Sequence, residues 1–244
     1  MPRLLFTLRF IGTRYHGWQV QKNALTVQSV LQDAIERVTG YRSDVIGCSR
    51  TDAGVHASMY CCTTDTDSKL CGDKMVSALN AHLPCDIAVY NCCEVDADFH
   101  PRYCAKSKQY LYRIWNSPAR NPFWDGLALH IRRPIDVEKL NESATDFLGE
   151  HDYSSFCAAG SSVCNKVRHV YKCEFSQCGE LVVLTIQANG FLYNMVRIIA
   201  GTLLEIDAGK LPYSCIPDIL KAHTRPAAGA TAPACGLILD KIFY

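Results

Sequence analysis

The chain has 244 residues, 48% of them hydrophobic and 20% charged, an ordinary balance for a globular protein with a sizeable core. No apolar run approaches the roughly 20 residues of a membrane span. Arg3, Arg9 and Arg14 interrupt any leader-like stretch at the start, so a cytoplasmic location is expected. With 25 basic against 24 acidic residues the net charge is only +1, so a nucleic-acid site would have to come from local concentration of charge.

In chain order, residues 3–11 (RLLFTLRFI) read as a strand. Thr26 then caps a helix whose Val27, Val30, Leu31, Ala34, Ile35 and Val38 recur at helical spacing, and Gly40 ends it. Strands are expected at about 43–50 and 57–64, a helix at about 72–83 stopped by Pro84, and a strand at 86–93. The order then repeats: a strand at 108–116, a helix at 136–148 capped by Asp136, and strands at 167–175 and 181–189. A strongly apolar helix over about 191–207, a shorter one over 214–222 and a closing strand at 236–243 follow. Two β-α-β-β-α-β runs predict an α+β protein of two ferredoxin-like halves, divided as 1–105 and 106–244, with a loop-rich segment at 117–135.

The 14 cysteines suit a reducing compartment better than a disulfide framework, because the chain is long and shows no export signal. There is no CxxC and no Cys/His cluster with zinc spacing, so no metal is expected and the cysteines read as small core residues. Dinucleotide fingerprints are also missing, and no cofactor is expected.

Chemistry concentrates first at residues 47–57, GCSRTDAGVHA. A strand-like run ends in Arg50, Thr51 and Asp52 before a turn at Ala53-Gly54. In extended geometry Arg50 and Asp52 project to one side, and a guanidinium nearby keeps a carboxylate ionised. Such an Asp serves as a nucleophile or general base, or it simply caps its own loop in an Asx turn; spacing alone favours the cap. His56 reads as structural. On the apolar helix, Arg197 stands among residues that surround nearly the whole circumference, so burial would demand a carboxylate partner, for which Asp52 is a candidate. Tyr110 and Tyr112 share one face of a strand, fitted either to core packing or to stacking on bases. Beside them, PRYCAKSKQYLYR at 101–113 carries Arg102, Lys106, Lys108 and Arg113 without an acid, and CNKVRHVYK at 164–172 carries Lys166, Arg168 and Lys172. Charge runs are usually solvated faces, yet both runs are candidates for phosphate contacts.

Six blocks resemble the tRNA pseudouridine synthase A family in order along the chain: FIGTRYHGWQVQKNALTVQSVLQDAI at 10–35, GCSRTDAGVHA at 47–57, FHPRYCAKSKQYLYRIWN at 99–116, GEHDYSSF at 149–156, NGFLYNMVRIIAGTLLEI at 189–206 and APACGLILDKIFY at 232–244. That resemblance implies the pseudouridine synthase fold, in which the antiparallel sheets of the two halves join around a central active-site cleft. It also implies roles: Asp52 as nucleophile, Arg197 as its ionic partner, Tyr110 packing on the target base, Arg50 displacing the target nucleotide from its stack, and Leu237 lining the uracil pocket. Ile11 stands where the family often has Asp, and Asp207-Ala208 replace a commonly Gly-containing stretch. The implied reaction is isomerisation of uridine at positions 38, 39 and 40 of tRNA, in and beside the anticodon loop, by a homodimer. Lys166 and Arg168 would then contact the tRNA backbone. A non-catalytic RNA-binding protein of the same fold would be expected to have lost Asp52 or Arg197; an unrelated aspartate hydrolase would need a metal or water-activating group beside Asp52. A related synthase with another site choice is the remaining alternative.

Overall fold

A computed structural model describes residues 1–161 and 163–244. In chain order the elements are β1 (Arg3–Phe10), α1 (Val27–Thr39), β2 (Ile46–Gly47), β3 (His56–Asp65), α2 (Gly72–Asn80), β4 (Ile87–Val95), β5 (Ser107–Asn116), β6 (Leu129–Ile131), α3 (Val137–Ala144), β7 (Gly149–Asp152), β8 (Val167–Cys178), β9 (Leu181–Ala188), α4 (Met195–Asp207), α5 (Ile216–Ala222) and β10 (Leu237–Phe243). Among the described residues no helix is long and apolar enough to cross a membrane. The α+β class is as expected. By compactness the chain divides into two units, Met1–Lys106 with Ile238–Tyr244, and Ser107–Leu237.

In the first unit β1 is central, antiparallel to β3 on one side and to β4 on the other. β2 pairs antiparallel with β3 at Thr63 and Cys62, giving the strand sequence of a ferredoxin-like sheet. Strand alternation explains the core: Leu4, Phe6, Leu8 and Phe10 of β1 are buried, as are Val27, Leu31, Ala34 and Ile35 of α1. β2 is much shorter than the strand expected over 43–50, so Arg50 and Asp52 belong to a loop. The closing strand also differs from expectation. Rather than belonging only with the second half, β10 pairs in parallel with β3, Ile238 opposite His56 and Leu239 opposite Ala57.

Capping chemistry sets the start of α1. The Thr26 hydroxyl accepts the Ser29 N–H at 3.2 Å, and the Ser29 hydroxyl accepts the Thr26 N–H at 3.3 Å. This reciprocal box satisfies two N–H groups that the helix cannot. Thr26→Ala is expected to lower stability by about 1 kcal/mol, seen as a shift in the denaturant midpoint at constant slope.

The second unit has the antiparallel order β5-β9-β8-β7, with β6 parallel to β5. β6 and β7 lie where no strand was expected; three or four residues are too few to show alternation. α3 starts at the expected cap, Asp136, whose carboxylate accepts the Lys139 N–H at 3.1 Å. Ten of the thirteen residues of α4 are buried. Its start comes later than the apolar pattern suggested, because Asn194 takes a left-handed conformation (φ 59°) and Phe191–Tyr193 precede the helix. At the other end the Asp207 carboxylate pairs with Arg133 and accepts the Asp136 N–H at 3.0 Å, while Arg133 also donates to the Leu204 carbonyl at 3.1 Å. The departure at Asp207 thereby joins the end of α4 to the start of α3.

Candidate active site

Asp52 sits half-buried on the loop between β2 and β3, with exposed Arg50 two residues before it. The loop closes on itself where the Val55 N–H donates to the Asp52 carbonyl at 3.2 Å, and Gly54 supplies the positive φ (+79°) the turn needs. The backbone carbonyl of Asp52 thus closes the turn.

The segment 12–18 holds this loop from the side. The Trp18 N–H donates to the Thr51 carbonyl at 3.2 Å, and the Gly54 N–H donates to the Tyr15 carbonyl at 3.1 Å. Gly17 (φ +84°) passes so close that a β-carbon there would collide with the Thr51 carbonyl oxygen. The Tyr15 hydroxyl donates to Asp86 at 2.7 Å, and Arg14 pairs with the same carboxylate at 2.7 Å. Burial above all, with the bond to Asp86, pushes the Tyr15 phenol up to about 12, so it stays a donor through the neutral range. From below, the Tyr60 hydroxyl donates to the Ser49 carbonyl, and the Trp18 and Tyr60 rings stack with centroids 4.1 Å apart. His56 is 3% exposed and its Nδ1 accepts the Gly12 N–H at 2.8 Å, the structural role expected of it.

In the second unit Tyr110 and Tyr112 project from the same face of β5, and both are buried. Tyr110 meets Phe191 edge-on with centroids 4.9 Å apart. Tyr112 donates its hydroxyl to the Pro233 carbonyl at 2.8 Å; burial drives its pKa up. Arg197 is half-buried rather than buried as its helix suggested. Its Nε donates to the Ala232 carbonyl at 2.8 Å and one terminal nitrogen to Asn194 Oδ1 at 2.9 Å, which fixes the guanidinium plane. The strap 228–232 lies tight on α4 at Gly201, where a β-carbon would strike the Ala230 carbonyl oxygen; the Thr202 hydroxyl accepts the Gly229 N–H at 3.0 Å. The same strap leads through Pro233 to Leu237, which is 5% exposed. Within this unit, therefore, Tyr112, Arg197 and the approach to Leu237 are bonded into one cluster.

Lys166 and Arg168 lie at the entrance to β8, both half-exposed. Arg168 donates to the carbonyls of Asn165 and Val167 at 2.9 and 2.6 Å, and burial lowers its pKa, so part of its guanidinium serves the local backbone. Among the described residues no group of three or more His, Cys, Asp or Glu is placed to hold a metal. In the 10–35 block the sequence pattern marks the Thr26 cap and the helix that follows, but gives no site role to Tyr15, Gly17 or Trp18. Tyr15 and Trp18 act on the Asp52 loop through non-local backbone bonds and Gly17 through a close approach to the Thr51 carbonyl, none of which leaves a periodic signal.

Comparison with known proteins adds to this geometry. A family model described as tRNA pseudouridine synthase matches residues 7–104 and 144–244. The chain is 45% identical over 245 residues to tRNA pseudouridine synthase A of Ruminiclostridium cellulolyticum, covering 100% of both chains. It is 44% identical to the protein of that name from Thermoanaerobacter sp. strain X514 and 43% identical to that from Acetivibrio thermocellus, again over 100% of each chain.

Proposed function

The chain belongs to the tRNA pseudouridine synthase family, an isomerase family acting on uridine in tRNA, and from that premise we propose that it converts uridine to pseudouridine at positions 38, 39 and 40 of the anticodon arm, with Asp52 as nucleophile. The observation that carries this reading is the half-exposed Asp52 carboxylate on a loop pinned by backbone bonds from the 12–18 segment, in a chain alike from end to end to proteins named for this reaction.

Pseudouridine formation breaks the N1–C1′ bond, turns the uracil and rejoins it through C5; no electron or group carrier is consumed. The target uridine must first leave its stack, at a cost of a few kcal/mol. Arg50, exposed at the edge of the loop, occupies the vacated space, and Lys166 and Arg168 contribute backbone contacts that offset that cost. Arg197, oriented by Ala232 and Asn194, is the cation that the family resemblance assigns to Asp52 as its ionic partner. Tyr110 packs on the detached base, and Leu237 lines the uracil pocket. A homodimer working in the cytoplasm on folded tRNA completes the proposal, one subunit holding the tRNA body while the anticodon arm enters an active site.

The test uses tRNA transcripts in which only one of positions 38, 39 and 40 is uridine, labelled with tritium at C5. Each should release tritium with the wild-type protein, whereas a transcript with cytidine at all three should release none. Release from the cytidine transcript at an undiminished rate would refute the site choice.

A further inference from the structure

We infer that the turn at His100–Tyr103 is a base-stacking subsite for an unpaired nucleotide of the RNA substrate, with Tyr103 as its platform; the inference rests on the tRNA reading above and adds a contact outside it. Tyr103 is 76% exposed. The turn presenting it is nevertheless tightly bonded: His100 Nδ1 accepts the N–H groups of Arg102 at 3.1 Å and Tyr103 at 3.4 Å, and the Cys104 N–H donates to the His100 carbonyl at 2.9 Å. The end of the chain clamps it from outside. The Tyr244 hydroxyl donates to the Pro101 carbonyl at 2.9 Å, its ring lies 5.1 Å from that of Phe99, and the Lys106 N–H donates to the Phe243 carbonyl at 2.7 Å.

A ring carried on a backbone held this firmly, and left this open, loses less freedom when a second ring stacks on it than one on a loose loop would. The His100 ring supports Tyr103 at 4.3 Å between centroids, tilted by 36°. The Arg102 guanidinium stands 5.8 Å from the Tyr103 centroid, near the far end of the cation–π range, so it is loosely held and available to a phosphate. The chemistry of the surround selects the partner. From Phe99 to Lys108 there is no acid, while Arg102 and Lys106 are exposed; the nearest preceding acid, Asp98, is close enough to Arg3 for their charges to interact. One aromatic face rimmed by cations fits a polyanion with π-faces, as single-stranded RNA offers, better than an apolar protein surface.

The experiment measures binding and steady-state turnover of an unmodified tRNA transcript by the full chain and its Tyr103 variants. Tyr103→Ala should raise Kd and KM by roughly 5- to 150-fold, with much less change in kcat at saturating tRNA. Tyr103→Phe should restore affinity, and the added emission of Tyr103→Trp, taken as the difference from wild type, should be quenched when tRNA saturates. Arg102→Gln should lessen the salt slope of binding by about one. An alanine variant that binds tRNA as wild type does, or a tryptophan whose emission ignores tRNA, overturns the stacking subsite. So does a change in the sedimenting mass of the free alanine variant, which would place Tyr103 in a protein contact. Wild-type turnover keeps the two readings apart: pseudouridine formed with no effect at Tyr103 removes only the subsite, while no pseudouridine removes the function.

Discussion

Replacing Asp52 with asparagine or alanine is expected to reduce tritium release from C5-labelled tRNA by roughly 10⁴-fold or more, equivalent to a barrier higher by about 5 kcal/mol, while tRNA affinity moves by less than about threefold. The expectation of intact binding follows from the loop's construction. The turn is closed by the Asp52 carbonyl and the Val55 N–H, and the loop is held by the Thr51 carbonyl and the Gly54 N–H, all backbone groups that either variant retains. Asparagine further keeps the shape of the side chain but offers neither a negative charge nor a nucleophilic oxygen. The protein should therefore fold and bind, and the chemical step alone should fail. Release by Asp52→Asn within tenfold of wild type would remove Asp52 from the nucleophile's role. Loss of binding in step with loss of release would assign it instead to holding the RNA.

Legibility from sequence tracked how local each feature is. α1 and its Thr26 cap, the Asp136 cap, and the shared face of Tyr110 and Tyr112 on β5 were all readable, because caps and periodicities act within a few residues. β2 was overestimated, since an extended run has no ladder unless a partner strand pairs with it, and only Ile46 and Gly47 do. β10 shows the same limit: its apolar run marked a strand, but nothing local announces a parallel pairing with β3, some 180 residues earlier in sequence. Arg197 was legible as an anomaly on an apolar helix. Its bonds to Ala232 and Asn194 were not, because they depend on the left-handed start of α4 and on the strap crossing Gly201. The resemblance supplied names for the chemical residues. The structure supplied what local pattern cannot, namely which backbone groups hold the Asp52 loop.

That holding is itself measurable at Gly17. Gly17→Ala is expected to destabilise the protein by about 2–5 kcal/mol, combining an unfavourable positive φ with a collision against the Thr51 carbonyl. Gly40→Ala is the matched control. Gly40 ends α1 at φ +86°, nearly the same conformation, but a β-carbon there meets nothing within 4 Å, so its cost should be only about 1–2 kcal/mol. The difference between the two variants isolates the close approach of the 12–18 segment to the Asp52 loop. Since the Thr51 carbonyl lies one residue before Asp52 and also accepts the Trp18 N–H, relief of the collision is expected to displace the loop that carries Asp52, the proposed nucleophile. A displacement of even part of an ångström at a reacting group slows chemistry, so kcat of the folded Gly17→Ala protein should fall roughly 10- to 100-fold while Gly40→Ala turns over normally. Denaturant melts with constant slope, and kcat measured well below each variant's melting temperature, separate the two effects. Equal stability and equal kcat for both variants would mean that the amino-terminal segment does not set the position of Asp52. A stability loss at Gly17 with unchanged kcat would confine its role to folding.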